Sequence, residues 1–244
     1  MTLVNPIAFE VFGLKVRWYG ILMALGMFLG SMIVLKLAKN KGYKEDDIID
    51  LILVALPSGI IGARLYYVIF SWDYYAGDIM KIINLRGGGL AIHGAVIGGL
   101  IGGYIFCKRR QLNFYELADF AAPALILAQS IGRWGNFTNG EAHGGVTDLP
   151  WAILVDGQYV HPTFLYESMW NFLIFLFLVF VGRRLKRKHG DLFLMYMGLY
   201  SIGRFFIEGL RTDSLMLGPL RVAQVISLVL IAISGYYLFK RKKE

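Results

Sequence analysis

With 57% hydrophobic residues, a mean hydropathy of +0.56 and only 17% charged residues, this 244-residue sequence is too apolar for an ordinary soluble domain. Its net charge of +8 is gathered in short basic clusters between long apolar runs. That pattern indicates cytoplasmic loop bias in a polytopic membrane protein before it indicates nucleic-acid binding. A single cysteine, Cys107, excludes an intramolecular disulfide. Residues 1–14 lack a basic start and a small-residue cleavage site, so no signal peptide is expected and the first apolar segment should be kept as a helix.

About seven apolar segments are long enough to span a bilayer at about 1.5 Å per residue. They lie near 17–38, 48–70, 88–107, 114–132, 163–182, 191–210 and 220–239. The expected fold is an all-α polytopic membrane protein, one integral membrane domain over residues 1–244. A small extracytoplasmic (periplasmic) cap is expected at approximately 133–162. The connections 36–44, 108–110, 183–188 and the tail 240–243 hold sixteen of the twenty-five Lys and Arg residues. All four fall on one side of the membrane, which the positive-inside rule makes the cytoplasm. The N-terminus is then outside and the C-terminus inside.

Segment one opens with Arg17-Trp18-Tyr19-Gly20, residue types that anchor a helix at the interface, with Tyr19 also placed for a lipid site. Segment two contains Pro57, expected to kink it, and Arg64 about two turns from its outer end. Arg64 either snorkels outward or faces a polar cavity. The loop 71–86 holds Trp72, Tyr74 and Tyr75 and nothing catalytic. Segment three begins at Gly87-Gly88-Gly89-Leu90-Ala91-Ile92-His93-Gly94, and its glycines recur at every fourth position, Gly94-Gly98-Gly102 and Gly99-Gly103. Such stripes allow close helix contact on two faces. His93, an ionisable group among those glycines in lipid, is a functional candidate. Segment four follows Asn113-Phe114-Tyr115-Glu116, a variant capping box, and Glu116 and Asp119 are assigned to the helix dipole.

The most polar stretch comes next: Gly132-Arg133-Trp134-Gly135-Asn136-Phe137-Thr138-Asn139-Gly140-Glu141-Ala142-His143-Gly144. Its arginine offers a planar fork of donors suited to phosphate, and its glycines permit close backbone approach. Read at this helix end it is either a lipid-headgroup site or a polar loop that caps the helix. Beyond it, the alternation from Pro150 to Val160 reads as a hairpin turning at Asp156-Gly157. Segment five starts at His161-Pro162-Thr163, with Glu167 and Asn171 sharing a face for hydrogen bonding or catalysis. On segment six, Tyr196, Tyr200, Arg204 and Glu208 recur every fourth residue, and Arg211 follows at three. They form one stripe on which Arg204 and Glu208 can pair.

Helix direction brings these groups to one level. Segments two, four and six run outward and end near Arg64, Gln129, Arg133, Arg204 and Glu208. Segments three and five run inward from His93 and Glu167. Arginines at the depth of a lipid phosphate point to an anionic phosphate ligand, and histidine with glutamate to proton transfer. This reaches an enzyme or carrier acting on a phospholipid from the outer side. A phospholipid-binding transporter or scaffold remains the alternative. No repeated halves support the transporter, no Gly-x-Ser-x-Gly supports an intramembrane serine protease, and no tight His spacing supports a metal site.

Four blocks resemble the prolipoprotein diacylglyceryl transferase family of the bacterial inner membrane. They are Arg17-Trp18-Tyr19-Gly20, Leu90-Ala91-Ile92-His93-Gly94, the Gly132–Gly144 signature, and Tyr200-x-x-x-Arg204-Phe205-x-x-Glu208; His161 to Glu167 also looks familial. The resemblance implies transfer of the diacylglyceryl group from phosphatidylglycerol to the lipobox cysteine of a prolipoprotein signal peptide. A thioether forms and glycerol 1-phosphate leaves. No metal or cofactor is implied. The catalytic residues would be His93, Arg133, Arg204 and Glu208, with Arg133 on the headgroup phosphate, Arg204 oriented by Glu208, and His93 as base. Asn136, Asn139 and Gly144 would shape the pocket, with Tyr19, Tyr200 and Arg64 as further substrate-binding residues and Glu141 as a weaker candidate.

Overall fold

The computed structural model describes residues 5–85, 88–212 and 214–243. An N-terminal hairpin, β1 (Ile7–Val11) and β2 (Leu14–Arg17), leads into α1 (Trp18–Lys39) and α2 (Glu45–Phe70). Two short helices, α3 (Trp72–Tyr75) and α4 (Ile79–Ile83), precede α5 (Ile92–Arg110) and α6 (Phe114–Asn139). A second hairpin, β3 (Ile153–Val155) and β4 (Gln158–Val160), leads to α7 (Thr163–Phe177). α7 continues through a π-helical turn, Leu178–Gly182, into α8 (Arg183–Leu185). Then come α9 (Asp191–Glu208), a last hairpin of β5 (Met216–Leu217) and β6 (Leu220–Arg221), and α10 (Val222–Lys243).

Each of the seven apolar segments forms a long helix. Four stretches among the described residues are both long and apolar enough to cross a membrane: Trp18–Lys39, Glu45–Phe70, Thr163–Leu185 and Val222–Arg241. The other three long helices are less apolar for identifiable reasons. α9 carries Asp191, Arg204 and Glu208 within its 18 residues. Glycine, which adds no side chain, dilutes α5, and α6 contains several polar residues.

Several boundaries differ from expectation. The main correction concerns α6, which was expected to end near 132 but runs on to Asn139 through most of the polar stretch. It ends in a Schellman motif: Gly140 takes φ 71°, its N–H donates to Phe137 O at 3.0 Å, and Glu141 N–H donates to Asn136 O at 2.9 Å. The polar connection therefore starts at Gly140 and not at Arg133. α5 starts at Ile92, later than the expected 88, because Gly88 and Gly89 take φ of 82° and 75°; Gly87 lies outside the described residues. The loop 71–86 contains two short helices, and the β1–β2 hairpin was not anticipated. That hairpin turns on Phe12 and Gly13, both at positive φ, as a tight two-residue turn requires. The expected turn at Asp156-Gly157 forms in the same way.

The chain divides into two compact units, residues 35–117 and residues 1–34 with 118–244. In the first, α2 and α5 cross at glycine contacts, where a Cβ on Gly94 would lie 2.2 Å from Gly62 O. Tyr43 O–H donates to Glu116 Oε2 at 2.8 Å, and burial, then that carboxylate, holds the phenol well above its usual pKa. In the second, α1 packs on α6 through small residues, Gly26 against Ala128 and Gly30 against Ala124. Ala122, Ile126, Ile174, Leu178 and Leu192 form an apolar core. Asp119 belongs to a different helix end from the one expected. Fully buried, it accepts from Gly190 N–H (2.7 Å) and Phe193 N–H (3.0 Å) and pairs with Lys186 at 2.9 Å. It therefore caps the start of α9, whose orphan N–H groups need an acceptor.

Candidate active site

The site is organised around Glu167, one turn into α7 and buried. Its Oε2 lies 2.7 Å from Arg133 Nε on α6, and its Oε1 accepts from Arg204 Nη1 on α9 at 2.8 Å. Arg211 Nη1 stands 3.7 Å from Oε1. Arg204 reaches Glu208 Oε2 with Nη2 at 2.6 Å, and Glu208 Oε1 accepts from Ser214 Oγ at 2.6 Å. Among the described residues three guanidiniums, Arg133, Arg204 and Arg211, thus meet two carboxylates, Glu167 and Glu208. Removing one partner of such a buried set strands a charge, at about 3–5 kcal/mol.

Packing around the cluster explains why these residues meet. Ser130 Oγ donates to Ser168 O (2.8 Å) and Ser168 Oγ to Ser130 O (3.0 Å), locking α6 to α7 beside Arg133 and Glu167. Trp134 Nε1 donates to Ser168 Oγ at 3.0 Å, and Phe137 stacks on Phe164 with ring centroids 4.5 Å apart. The α7–α9 register is set by Trp170, which donates to Leu199 O at 3.0 Å and occupies the space a side chain on Gly203 would need. This brings Glu167 level with Arg204. Gly135 serves the opposite face of α6: a Cβ there would lie 2.7 Å from the Tyr19 ring. Tyr19 and Tyr200 both stand near the Arg133 guanidinium.

Asn136, one turn beyond Arg133, is half-buried on α6. Asn139 donates to Glu141 Oε1 at 3.2 Å while its own Oδ1 is buried without a hydrogen-bond partner among the described residues. Gly144 is packed for space. Its N–H donates to His161 O at 2.8 Å, and a Cβ would lie 2.8 Å from both His161 Cβ and Leu210 O. The Gly144–Arg211 bridge and the Thr163 hydroxyl bond to Ala142 O tie this connection to α7 and to the end of α9.

Arg133, Arg204, Glu208, Tyr19 and Tyr200 are thus gathered in one unit. His93 and Arg64 belong to the other. His93 is exposed at the start of α5, its ring 5.9 Å from that of Tyr66. Arg64 is buried and already engaged: its Nε donates to Ile82 O (2.8 Å), its Nη1 to Gly88 O (2.7 Å) and Gly89 O (2.9 Å), and its Nη2 to Asn84 O (3.0 Å) and Lys81 O. All the N–H donors of a guanidinium are consumed, so Arg64 has none left for a substrate phosphate. The cluster adds Glu167 and Arg211 to the catalytic residues that the resemblance implies. The signal available for Glu167 was that clustered buried arginines demand carboxylates at the same level.

The sequence pattern of a known family, described as prolipoprotein diacylglyceryl transferase, matches residues 6–240. The chain is 57% identical over 243 residues to the phosphatidylglycerol--prolipoprotein diacylglyceryl transferase of Clostridioides difficile (strain 630), covering 98% of each chain. It is 52% identical over 240 residues to the enzyme of that name from Finegoldia magna, covering 98% of this chain and 97% of the relative. The corresponding protein of Clostridium botulinum (strain Loch Maree / Type A3) is 50% identical over 250 residues, with 98% of each covered. Matched along nearly its whole length, the chain belongs to the prolipoprotein diacylglyceryl transferase family.

Proposed function

We propose that this protein transfers the diacylglyceryl group of phosphatidylglycerol to the lipobox cysteine of prolipoproteins, the first step of bacterial lipoprotein modification. The observation that carries the reading is the Glu167-centred arginine cluster in a chain 57% identical to an enzyme of that name. The thiolate sulfur attacks the glycerol carbon that bears the phosphate. The C–O bond breaks, its electron pair leaves on the phosphate oxygen, and glycerol 1-phosphate departs as the thioether forms.

The residues present suit those steps. Arg133 commits Nε to Glu167 and carries no other ion pair among the described residues, so its Nη groups serve the lipid phosphate. Arg204, held between Glu167 and Glu208, stabilises the charge that grows on the leaving phosphate. Asn136, Asn139, Tyr19 and Tyr200 line the lipid headgroup, and Gly144 keeps the connection beside them narrow. His93 takes the thiol proton.

In this reading all seven long helices cross the bacterial cytoplasmic membrane. The N-terminus and the 140–162 connection, as a cap, lie on the outer side, and the signal peptide of the prolipoprotein enters from the lipid. The test is direct: purified protein in detergent is mixed with phosphatidylglycerol and a lipobox peptide. A thioether-linked diacylglyceryl peptide with release of glycerol phosphate supports the reading, and lipid binding without product would favour a carrier or scaffold.

A further inference from the structure

We infer that Arg64 is a positioning residue for His93, acting through the segment that leads into α5. The inference rests on the assignment of the thiol proton to His93 proposed above.

The start of α5 has little of its own to hold it. Ala91 stands at the N-cap and offers no side-chain acceptor to the first-turn N–H groups. Local contacts to α2 help to hold it, the Tyr66 ring beside His93 among them. Ala91 N–H donates to Ala63 O at 3.1 Å, and Gly94 presses on Gly62. Arg64, the residue after Ala63, extends this anchorage to the whole approach. Its bonds to Lys81, Ile82 and Asn84 satisfy carbonyls at the end of α4, where a cation also suits the helix dipole. Its bonds to Gly88 and Gly89 fix the two positive-φ residues four and five positions before His93. The Tyr75 ring lies 4.9 Å from Cζ and holds the guanidinium plane in place. No carboxylate pairs with Arg64 among the described residues. Its charge is solvated by backbone, and a single side chain spans α2, α4 and the loop into α5.

A lysine there has three donors on a point charge and cannot serve five carbonyls in a plane. The loop would loosen, and His93 would lose its fixed placement. Misplacing a catalytic group by an ångström costs turnover and leaves distant binding contacts intact.

The experiment is a mutant cycle in the full-length protein, with Arg64→Lys made alone and on His93→Gln. Gly89→Ala provides a second approach to the same contact, because a Cβ there would lie 2.5 Å from Arg64 Nη1 at φ +75°. It is read in the same way if Arg64→Lys does not fold. Each variant should lower kcat by about tenfold or more with the KM for phosphatidylglycerol within about twofold, and neither should add to the loss in His93→Gln. Equal losses in both backgrounds would overturn the inference, as would a raised lipid KM at unchanged kcat, which would mean that Arg64 binds lipid. If His93→Gln leaves too little turnover for the cycle, the pH profile of kcat/KM decides. Its acidic limb should move in Arg64→Lys, and an unmoved limb would overturn the inference. Wild-type turnover in His93→Gln alone would defeat the proton assignment itself, a result read before any Arg64 variant is measured.

Discussion

Arg133 Nε stands 2.7 Å from Glu167 Oε2, joining the polar stretch on α6 to a buried carboxylate on α7. Because the other oxygen of Glu167 receives Arg204, this carboxylate sets the spacing between two guanidiniums that would otherwise repel. It also uses Nε of one and Nη1 of the other, so the two cations present different edges to a ligand.

Glu167→Gln should therefore be more damaging than loss of an ordinary buried carboxylate. The amide holds a guanidinium less firmly, and the arginines around it lose a compensating negative charge. A fall in kcat/KM worth about 2–5 kcal/mol is expected, with Glu167→Asp intermediate because the charge remains but the reach is shorter. Steady-state turnover in detergent, with folding followed by thermal melting, checks this. A folded Glu167→Gln protein with wild-type activity would show that the bridge is dispensable.

The Arg204–Glu208 pair makes a different prediction. Arg204 contacts Glu167 with Nη1 and Glu208 with Nη2, a two-armed arrangement a lysine cannot copy. Arg204→Lys should lose at least about tenfold in turnover, and Glu208→Gln should lose less because Glu167 still orients one arm. Equal activity of Arg204→Lys and wild type would show that only the charge of Arg204 matters.

Asp119 offers a test of stability kept apart from chemistry. It caps α9 through Gly190 and Phe193 while paired with Lys186, so Asp119→Asn removes the ion pair and can satisfy the N–H groups only with a neutral acceptor. A loss of about 3–5 kcal/mol is expected, seen as a lower melting temperature in detergent. An unchanged melting temperature would mean that the cap contributes little.

The proposed orientation is testable by cysteine labelling of intact cells in a Cys107→Ser background. Asp148→Cys, in the connection after α6, should react with an impermeant reagent, whereas Arg184→Cys, in the basic stretch after α7, should react only after lysis. The reverse pattern would invert the topology.

The long helices were legible because apolar runs punctuated by basic clusters need no tertiary information. The Asp156-Gly157 turn was legible because positive φ selects its residues. What stayed hidden depends on partners far along the chain. Asp119 reads as a dipole residue on its own helix, yet its acceptors serve N–H groups at 190 and 193. Arg64 reads as a membrane arginine in search of a phosphate, yet its ligands are carbonyls 17 to 25 residues away. The pairing of Arg204 with Glu208 was visible as a four-residue spacing on one helix. Glu167 had no such local sign, because its partners lie on two other helices. The end of α6 is hidden in the sequence because Arg133 and Asn136 look like loop residues, although at their spacing they continue one helical face.

The proposed reaction divides its labour most sharply between Arg133 and His93. Arg133 is on the helix that carries the polar stretch, with its Nε held by Glu167 and Tyr19 and Tyr200 nearby. As a phosphate clamp it acts in the ground state, and acts more strongly as the C–O bond breaks and charge on the phosphate rises. Arg133→Ala should weaken phosphatidylglycerol binding and slow turnover together, by about 2–5 kcal/mol in combined effect. Arg133→Lys should recover little, since an ammonium cannot both pair with Glu167 and present a fork to the phosphate. A helix-end anchor would behave otherwise, because either side chain can snorkel and lysine would then substitute without loss. His93→Gln, by contrast, should leave lipid affinity near wild type and slow only the step that ionises the thiol. The measurement is lipid affinity and turnover for the three variants in one detergent, with melting as the control for folding. Wild-type affinity and turnover in folded Arg133→Ala would remove Arg133 from the site, and weakened lipid binding in His93→Gln would move His93 from proton transfer to lipid contact.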